Sequence, residues 1–446
     1  MKAFRELSFF VLTVMSTLCT QQVEMIVFVH GTLRPADFSL ASIIKIMGNN
    51  IGNSLYSKTN SYIREDPYFY QSQAMQGLGL HPIHLHAEKP LTVQCLAKIF
   101  ELQYEATNYP IANRLYYTFG WNGLLNIHER EKEGEIFYQQ LSTEIAQLKA
   151  MGKDPQLHIV AFSHGGNVSL NLAKASIKQS DNKSFTVETL TLLGMPVQRA
   201  TDYLANSNLF KKIYHIYSTE DSIQTLDIFS PKQFFSDRTF KERSEFKLPE
   251  KLVQIRIRVT RSIRGLHKIN PYPEKSHQVL AHKNIQRIHK DPQHTELWCF
   301  KWGAHWYRDL FPLKPLPIVA FVPSLLHAVQ STLPDHTNIT LDYVPSYQGA
   351  VIIPTIKYHS KTFAILTKEE TKKLYALAQN HEPKDFSLEK QQEKIEDYLK
   401  KAQLYLKELK GEKAVRKSRL LTNLILRNRK KLTSNRLPYD QKIIHG

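Results

Sequence analysis

LHIVAFSHGGN, at residues 157–167, is the stretch of the chain that decides its fold. An apolar run up to Phe162 fits a strand that is buried on both faces. Ser163 ends this run, and Gly165 and Gly166 follow it closely. Small residues are needed where a strand turns abruptly into a helix, because the two elements nearly collide there. The stretch therefore predicts a strand–turn–helix unit with Ser163 at the turn.

Further apolar runs on both sides of this unit predict an α/β fold. Residues 25–30, MIVFVH, form the first run and are followed by Gly31 and Thr32. The other predicted strands are residues 114–119, 190–193, 212–217 and 252–259, and the predicted helices are 129–151, 167–178, 199–210 and 318–329. This alternation of strands and helices predicts a doubly wound, mostly parallel sheet with right-handed crossovers.

The lengths of the connections predict the domain organisation. Residues 21–335 are predicted to form the α/β domain, with a long insertion at about 33–110. The insertion contains an aromatic patch at 62–70, which is either part of a binding lid or packed in a core. A short β-hairpin region is expected at 336–366. Residues 367–446 are expected to form a charged, helical C-terminal extension.

Residues 1–20 have the pattern of a secretory signal peptide. Lys2 and Arg5 precede a short apolar stretch at 7–18, which is too short to span a bilayer comfortably. A signal peptide would place the protein outside the cell or in the periplasm or cell envelope. In the alternative interpretation the segment is the first core element of the folded domain, and the protein is cytoplasmic.

Cysteine content excludes two classes of protein. The three cysteines are Cys19, Cys95 and Cys299, and they provide neither a disulfide framework nor the paired spacing of a zinc site. Once Cys19 is removed with a leader, Cys95 and Cys299 either form one bridge or, in the commoner arrangement, remain buried thiols.

The net charge of +18 is concentrated in two segments. Residues 251–301 contain eleven basic side chains against three acids, and residues 413–446 contain ten against one. Apolar residues within 415–431 predict an amphipathic helix that makes peripheral contact with anionic lipids, or else a solvated helix docked on the domain. Nucleic-acid binding is not favoured, because the chain contains no DNA- or RNA-binding motif.

The turn at Ser163 resembles the nucleophile motif of the α/β-hydrolase superfamily, especially its lipase and esterase members. Their pattern is G-x-S-x-G, and Ala161 replaces its first glycine with a residue that is still small. The resemblance implies that Ser163 is a nucleophile. The competing interpretation is a β-to-α turn in a nucleotide-binding or purely structural α/β protein.

The segment after the first strand resembles the oxyanion-binding loop of the same superfamily. Ester cleavage creates a negatively charged oxygen, which backbone N–H groups stabilise. The resemblance implies that the amides of Thr32 and His164 take this role. His30 is expected to brace the loop through hydrogen bonds rather than to transfer a proton.

A serine nucleophile needs a base and a carboxylate, and in this superfamily they follow the serine in the order acid, then histidine. The apolar strand at 212–217 is followed by Glu220 and Asp221, and the resemblance singles out Asp221 as the catalytic acid. Glu220 and Asp227 are its rivals. The alternative is an ordinary surface turn that carries two acids.

Eight downstream histidines are candidates for the base. His294 fits best, because the Asp-Pro turn at 291–292 precedes it and residues 295–298 suit the start of a helix. The other candidates are His267, His277, His282, His289, His305, His327 and His336, of which His277, His282 and His305 are the main rivals. A histidine-rich basic stretch is otherwise a solvated surface. Metal binding is not favoured, because no spaced histidine pair coincides with carboxylates on a helix.

These residues predict a serine hydrolase that cleaves a carboxylic ester, of a lipid or another apolar acyl substrate, through an acyl-enzyme. The mechanism requires no metal or organic cofactor. Two alternatives remain open: a thioesterase or acyltransferase with the same triad, and a non-catalytic, envelope-associated binding protein on a hydrolase scaffold.

Overall fold

A computed structural model of the chain describes residues 21–32, 54–86, 91–107, 113–179, 185–225, 236–263, 280–282, 285–302, 313–334, 336–346, 349–356, 359–360 and 363–410. The predicted signal peptide and the predicted basic amphipathic helix lie outside these residues. So do Asp227, His267, His277 and His305.

One sheet contains all the strands of the described residues. In chain order they are β1 (Gln21–Val29), β2 (Gly79–Pro82), β3 (Asn113–Gly120), β4 (Lys153–Phe162), β5 (Val187–Leu193), β6 (Phe210–Tyr217), β7 (Leu252–Ile263), β8 (Leu280–His282), β9 (Ile285–Lys290), β10 (Asn338–Ser346), β11 (Gly349–Ile356), β12 (His359–Ser360) and β13 (Phe363–Thr367). Its centre is a parallel run in the order β3, β1, β4, β5, β6, β7, β10. The predicted α/β fold with a mostly parallel sheet is confirmed.

Helices cover both faces of the sheet. They are α1 (Leu55–Glu65), α2 (Thr92–Ala106), α3 (Ile127–Ala150), α4 (His164–Lys178), α5 (Val322–Thr332), α6 (Lys368–Asn380) and α7 (Leu388–Lys410). Helices α3 and α4 bury their apolar residues on one face, whereas α2, α5 and α6 bury theirs on the other. Strand β1 shows why the sheet needs both layers, since Val27 and Phe28 point to opposite faces and both are fully buried.

The predicted helix at 199–210 is wrong. Only a short 3-10 helix, Asp202–Asn206, forms there. Tertiary partners take up the polar groups of this connection: the Asp202 carboxylate pairs with Arg243, and the Thr201 hydroxyl bonds to Asn167 in α4. Val197 just before it exchanges two backbone hydrogen bonds with Asp237. These contacts hold the connection between β5 and β6 in a conformation whose only helical part is the short 3-10 helix.

The predicted hairpin is present, and it extends the central sheet. Strands β10 and β11 pair antiparallel, and β10 also pairs parallel with β7. The Arg258 guanidinium on β7 donates two hydrogen bonds of 2.6 Å to the Asp342 carboxylate on β10. The hairpin therefore lies at the edge of the same sheet.

The described part of the insertion adds an edge strand and two helices to the fold. Strand β2 pairs antiparallel with β3, and α2 packs on one face of the sheet. The aromatic patch packs against α7 and the segment just before it: Tyr68 stacks on Phe386, and Phe69 lies against Tyr398 of the helix. Asp66 accepts 2.8 Å hydrogen bonds from two side chains of α7. Tyr68 and Phe69 are therefore packed in a core, which is one of the two alternatives that the sequence left open for the patch.

Cys95 and Cys299 are free thiols, as in the commoner of the two arrangements that the sequence left open, and burial raises the pKa of both.

Within the described ranges, no helix combines the length and apolar character that a bilayer crossing requires.

Candidate active site

Ser163 occupies a sharp turn between β4 and α4. Its backbone has φ 50° and ψ −131°, and it is the only non-glycine residue with positive φ in the described part of the chain. Such a conformation costs about 1–3 kcal/mol. Two hydrogen bonds of 2.9 Å hold it: the Ser163 amide donates to the Leu193 carbonyl, and the Ser163 carbonyl accepts from the Gly166 amide.

The loop after β1 lies directly against this turn. A side chain at Gly165 would collide with the backbone carbonyls of Val29 and His30. A side chain at Gly31 would come within 2.8 Å of the Ser163 Cβ. Gly165 therefore faces backbone, and Gly31 faces the side chains of Phe162 and Ser163, with no room for a Cβ atom at either position. The close approach also brings the loop of Thr32 beside the start of α4, at His164.

The structure brings Ser163, His294 and Asp221 into one chain of hydrogen bonds. The His294 Nε2 atom lies 3.0 Å from the Ser163 Oγ atom, and the His294 Nδ1 atom lies 2.7 Å from the Asp221 Oδ2 atom. Ser163 and Asp221 follow the carboxyl ends of the parallel strands β4 and β6, and the loop after β9 brings His294 to the same end of the sheet. Ser163 is only 3% exposed, and 13% of the His294 side chain remains exposed.

Asp221 is fully buried and held in place by its own loop. Its Oδ1 atom accepts hydrogen bonds from the amides of Ile223 (3.1 Å) and Gln224 (3.3 Å), so its Oδ2 atom is directed at His294. The rival Glu220 is exposed. A buried, fully hydrogen-bonded carboxylate of this kind orients an imidazole and stabilises its protonated form.

The loop that carries His294 is tied to the loop that carries Asp221. The Asp291 Oδ2 atom accepts from the Thr219 amide (3.2 Å) and hydroxyl, and from the Arg256 Nη2 atom (2.9 Å). In addition, the Ser218 hydroxyl donates to the Pro292 carbonyl. These contacts, which we call the loop clamp, fix the distance between the two loops.

An aromatic pair borders the histidine. The Phe162 ring lies 4.6 Å from the His294 ring, measured between centroids, and stacks on Trp298 at 5.4 Å with an angle of 4°. His294 begins a 3-10 helix, His294–Leu297, in which the Glu296 carboxylate accepts the Gln293 amide at 2.8 Å. The imidazole is therefore held from the side as well as through its Nδ1 atom.

His30 braces the loops that surround the serine. Its Nε2 atom accepts the Trp121 amide (3.2 Å), which leaves its Nδ1–H to donate to the Gly31 carbonyl (2.6 Å). The Trp121 indole donates in turn to the His30 carbonyl at 2.7 Å. Burial, together with the nearby charge of Arg64, holds the pKa of His30 well below its usual range. The imidazole is neutral, as the expected bracing role requires.

His164 is also neutral. Burial lowers its pKa well below the usual range, and the charges of Arg130 and His294 act in the same direction. Its backbone amide opens α4, and the first amides of a helix have no acceptor within the helix. The positive end of α4 therefore begins at the residue after Ser163.

Of the other candidate histidines, three have described side chains. His289 hydrogen-bonds the Thr260 hydroxyl and lies 3.2 Å from the Asp342 Oδ1 atom. His327 lies within α5, and His336 is exposed before β10. The side chain of His282 lies outside the described residues. Among the described side chains, His294 is the histidine that reaches Ser163.

Sequence reasoning missed the loop clamp and the partner of His30. Asp291 was noticed only as part of an Asp-Pro turn, and its charge was the available signal that it pairs with a cation. Trp121 lies two residues after the predicted strand at 114–119, at the kind of strand end where ligands bind in α/β sheets. Nothing local to either residue indicates its partner.

No protein-family model matches this chain, and no curated protein matches it at a significant level.

Proposed function

We propose that this protein is a serine hydrolase with an α/β-hydrolase fold that cleaves a carboxylic ester. The observation that carries the proposal is the hydrogen-bond chain from Ser163 through His294 to Asp221, with the serine in a left-handed turn. The order serine, acid, histidine along the sequence and the strand–serine–helix turn are both typical of that fold.

In the first half-reaction Ser163 attacks the ester. As its Oγ atom bonds to the carbonyl carbon, its proton moves to the His294 Nε2 atom, which lies 3.0 Å away. Asp221 stabilises the resulting imidazolium through the Nδ1–H bond. When the tetrahedral intermediate collapses, the carbon–oxygen bond breaks and His294 protonates the departing alcohol.

In the second half-reaction water regenerates the enzyme. His294 takes a proton from water, the hydroxide attacks the acyl carbon, and the Ser163 Oγ atom leaves and recovers the proton. In both halves a negative charge develops on the carbonyl oxygen. We assign its stabilisation to the backbone amides of Thr32 and His164, on the two loops that meet at Ser163.

An ester with an apolar acyl group is the substrate that we propose. The aromatic pair of Phe162 and Trp298 beside His294 offers an apolar environment at the reacting centre. A thioester would be attacked by the same groups in the same order, so a panel of esters and thioesters of matched acyl chain separates the two activities.

The proposal is tested by labelling the purified protein with a fluorophosphonate probe, which reacts covalently with activated serines. We expect the wild type to label, and Ser163→Ala and His294→Ala to lose labelling. Asp221→Asn should lower turnover of an activated ester by roughly 10³- to 10⁴-fold, because the imidazole loses its orienting carboxylate.

Matched controls are Ser176→Ala, within α4 but three turns away from the nucleophile, and His336→Ala, an exposed histidine. Both should label like the wild type. A folded wild type that neither labels nor hydrolyses any ester or thioester of the panel would contradict the proposal and favour a binding function.

A further inference from the structure

Arg64, at the end of α1, is a buried cation with no hydrogen-bonded partner for its guanidinium among the described residues. The residue is 5% exposed, and its three guanidinium nitrogens are buried and make no hydrogen bond within the described part of the chain. No carboxylate within the described residues forms an ion pair with it. The Tyr70 ring lies beside it, with its centroid 5.5 Å from the guanidinium carbon.

This arrangement is energetically unfavourable, and a ligand would relieve it. Burial lowers the pKa of Arg64 to about 10, so the side chain remains charged at neutral pH. Buried arginines are almost always paired, because a charge without a partner in a low-dielectric environment costs several kcal/mol.

Glu133 in α3 is the carboxyl group that interacts with Arg64 electrostatically, but it neutralises the guanidinium only in part. Burial raises the pKa of Glu133 to about 7, so a large fraction of this side chain is protonated near neutral pH. Its carboxyl group also accepts a hydrogen bond from the Asn122 amide. Arg64 therefore retains its hydrogen-bonding capacity.

The guanidinium lies at the carboxyl ends of the parallel strands, which is also the end of the sheet that carries Ser163. A side chain added at Gly120, the last residue of β3, would collide with the Arg64 Nη2 atom. In the register of the sheet, Phe119 shares a row with Val29 and Ala161, so Gly120 is level with His30 and Phe162, one residue before Ser163. Two strand spacings separate β3 from β4, so Gly120, which the guanidinium closely approaches, lies about 10 Å from Phe162 beside the serine.

Helix α1 holds Arg64 at this end of the sheet. The Tyr56 hydroxyl donates to the Gly123 carbonyl at 3.1 Å, and the Asn60 amide group donates to the Asn122 carbonyl. Both acceptors belong to the loop that follows β3. In open α/β sheets, ligands bind outside the carboxyl ends of the strands, so the insertion delivers a buried cation to the place where a substrate would lie.

We propose that Arg64 binds an anionic group, a carboxylate or a phosphate, on the substrate whose ester bond Ser163 attacks. This inference rests on the proposed function. The planar guanidinium pairs with either oxyanion through two parallel hydrogen bonds. Shielding from water strengthens such a pair. The substrate is thus an ester with an anionic group about 10 Å from its carbonyl carbon.

The test compares p-nitrophenyl monoesters of dicarboxylic acids of increasing length, from succinate through adipate to suberate, with their neutral methyl diester counterparts. We expect the wild type to hydrolyse the suberate monoester with a kcat/KM at least tenfold above that of its neutral counterpart. The succinate pair should show no such preference, because its carboxylate does not reach Arg64. An analogous pair with a terminal phosphate distinguishes the two oxyanions.

Arg64→Met should abolish the charge preference, and Arg64→Lys should reduce it, since lysine keeps the charge but loses the planar fork. The control is Arg114→Met, which removes a buried arginine that pairs with Glu24 near the amino ends of β3 and β1, at the other end of the strand from Gly120. This variant should keep the preference. Arg64→Met should also melt no lower than the wild type, because it removes an unpaired charge, whereas a purely structural arginine would lower the melting temperature.

Two readouts separate this inference from the proposed function. Fluorophosphonate labelling of Ser163 should persist in Arg64→Met, and suberate and inorganic phosphate should raise the melting temperature of the wild type but not of Arg64→Met. Labelling without any charge preference, or a preference that survives in Arg64→Met, would overturn the role of Arg64 alone. Failure of labelling with an Arg64-dependent thermal shift would overturn only the hydrolase proposal.

Discussion

Gly194, the residue after β5, shows how closely single residues crowd the site. It has φ 57°, and an added Cβ would lie 3.1 Å from the Asp221 Oδ2 atom and 3.4 Å from the His294 Nδ1 atom. If the proposed function holds, we expect Gly194→Ala to lower kcat for an activated ester at least tenfold, because the added methyl group crowds the hydrogen bond between Asp221 and His294. Steady-state kinetics measures the effect.

Gly152→Ala is the matched control for this prediction. Gly152 also has positive φ, at 74°, but no atom lies within 4 Å of its Cβ position. Both variants bear a similar backbone penalty of about 1 kcal/mol. Equal kinetic losses in the two variants would show that strain, rather than crowding of the hydrogen bond, causes the effect.

The raised pKa of the buried Glu133 carboxyl predicts how the free energy of unfolding depends on pH. Burial raises the pKa of this carboxyl from 4.5 to about 7 in the folded protein. Between these values the unfolded chain releases the proton and the folded protein keeps it, so the free energy of unfolding falls as the pH rises. The loss approaches about 3 kcal/mol when the pH exceeds 7.

Glu133→Gln removes this titration, so the decrease in stability between pH 4.5 and 7 should be smaller than in the wild type by that amount. Urea denaturation across this pH range measures both curves. Parallel curves for the two proteins would show that Glu133 titrates normally in the folded state, and Arg64 would then have a fully charged neighbour.

At the scale of elements, the loop clamp holds the loop that carries Asp221 against the loop that carries His294. Arg256→Gln removes the cation that holds Asp291 against Thr219. Because His294 would then sample more positions relative to Asp221, we expect kcat to fall about tenfold with KM little changed. Kinetics at constant pH, with circular dichroism to verify the fold, measures this.

Arg114→Gln serves as the control for the clamp, since its ion pair with Glu24 lies near the amino ends of β3 and β1, away from the loops that carry Asp221 and His294. It should lower stability without lowering kcat. A loss of kcat in Arg256→Gln that merely follows a loss of folded protein would contradict the role of the clamp in positioning His294.

At the scale of the whole molecule, the C-terminal hairpin shares the central core. Leu341 on β10 is fully buried within the same apolar cluster as α2 and α5. We expect Leu341→Ala to lower the free energy of unfolding by about 2–5 kcal/mol in a single cooperative transition. Leu404→Ala, on the exposed surface of α7, should change it by less than about 0.5 kcal/mol. A hairpin that melts separately would contradict a shared core.

Local patterns were sufficient to predict much of this molecule. The alternation of apolar runs predicted β1 and the strands from β3 to β7, and the turn chemistry around Ser163 predicted the strand–turn–helix unit. These features depend on interactions between neighbours in the chain, such as backbone sterics and the burial of both faces of a strand. The histidine was chosen in the same way, from the Asp-Pro turn before His294.

Only the tertiary structure decided which distant residues meet. The hydrogen bond between His294 and Ser163 joins residues 131 positions apart, and the bond between Arg258 and Asp342 spans 84. No local pattern records such pairings, which is why the predicted helix at 199–210 was wrong and Arg64 passed unnoticed. Its burial next to β3 follows from how α1 packs on a loop some 60 residues away. The sequence alone determined most of the central strands and the turn at Ser163, because short-range sterics and burial specify them. Chain packing decided their long-range partners, because these depend on where the whole chain folds.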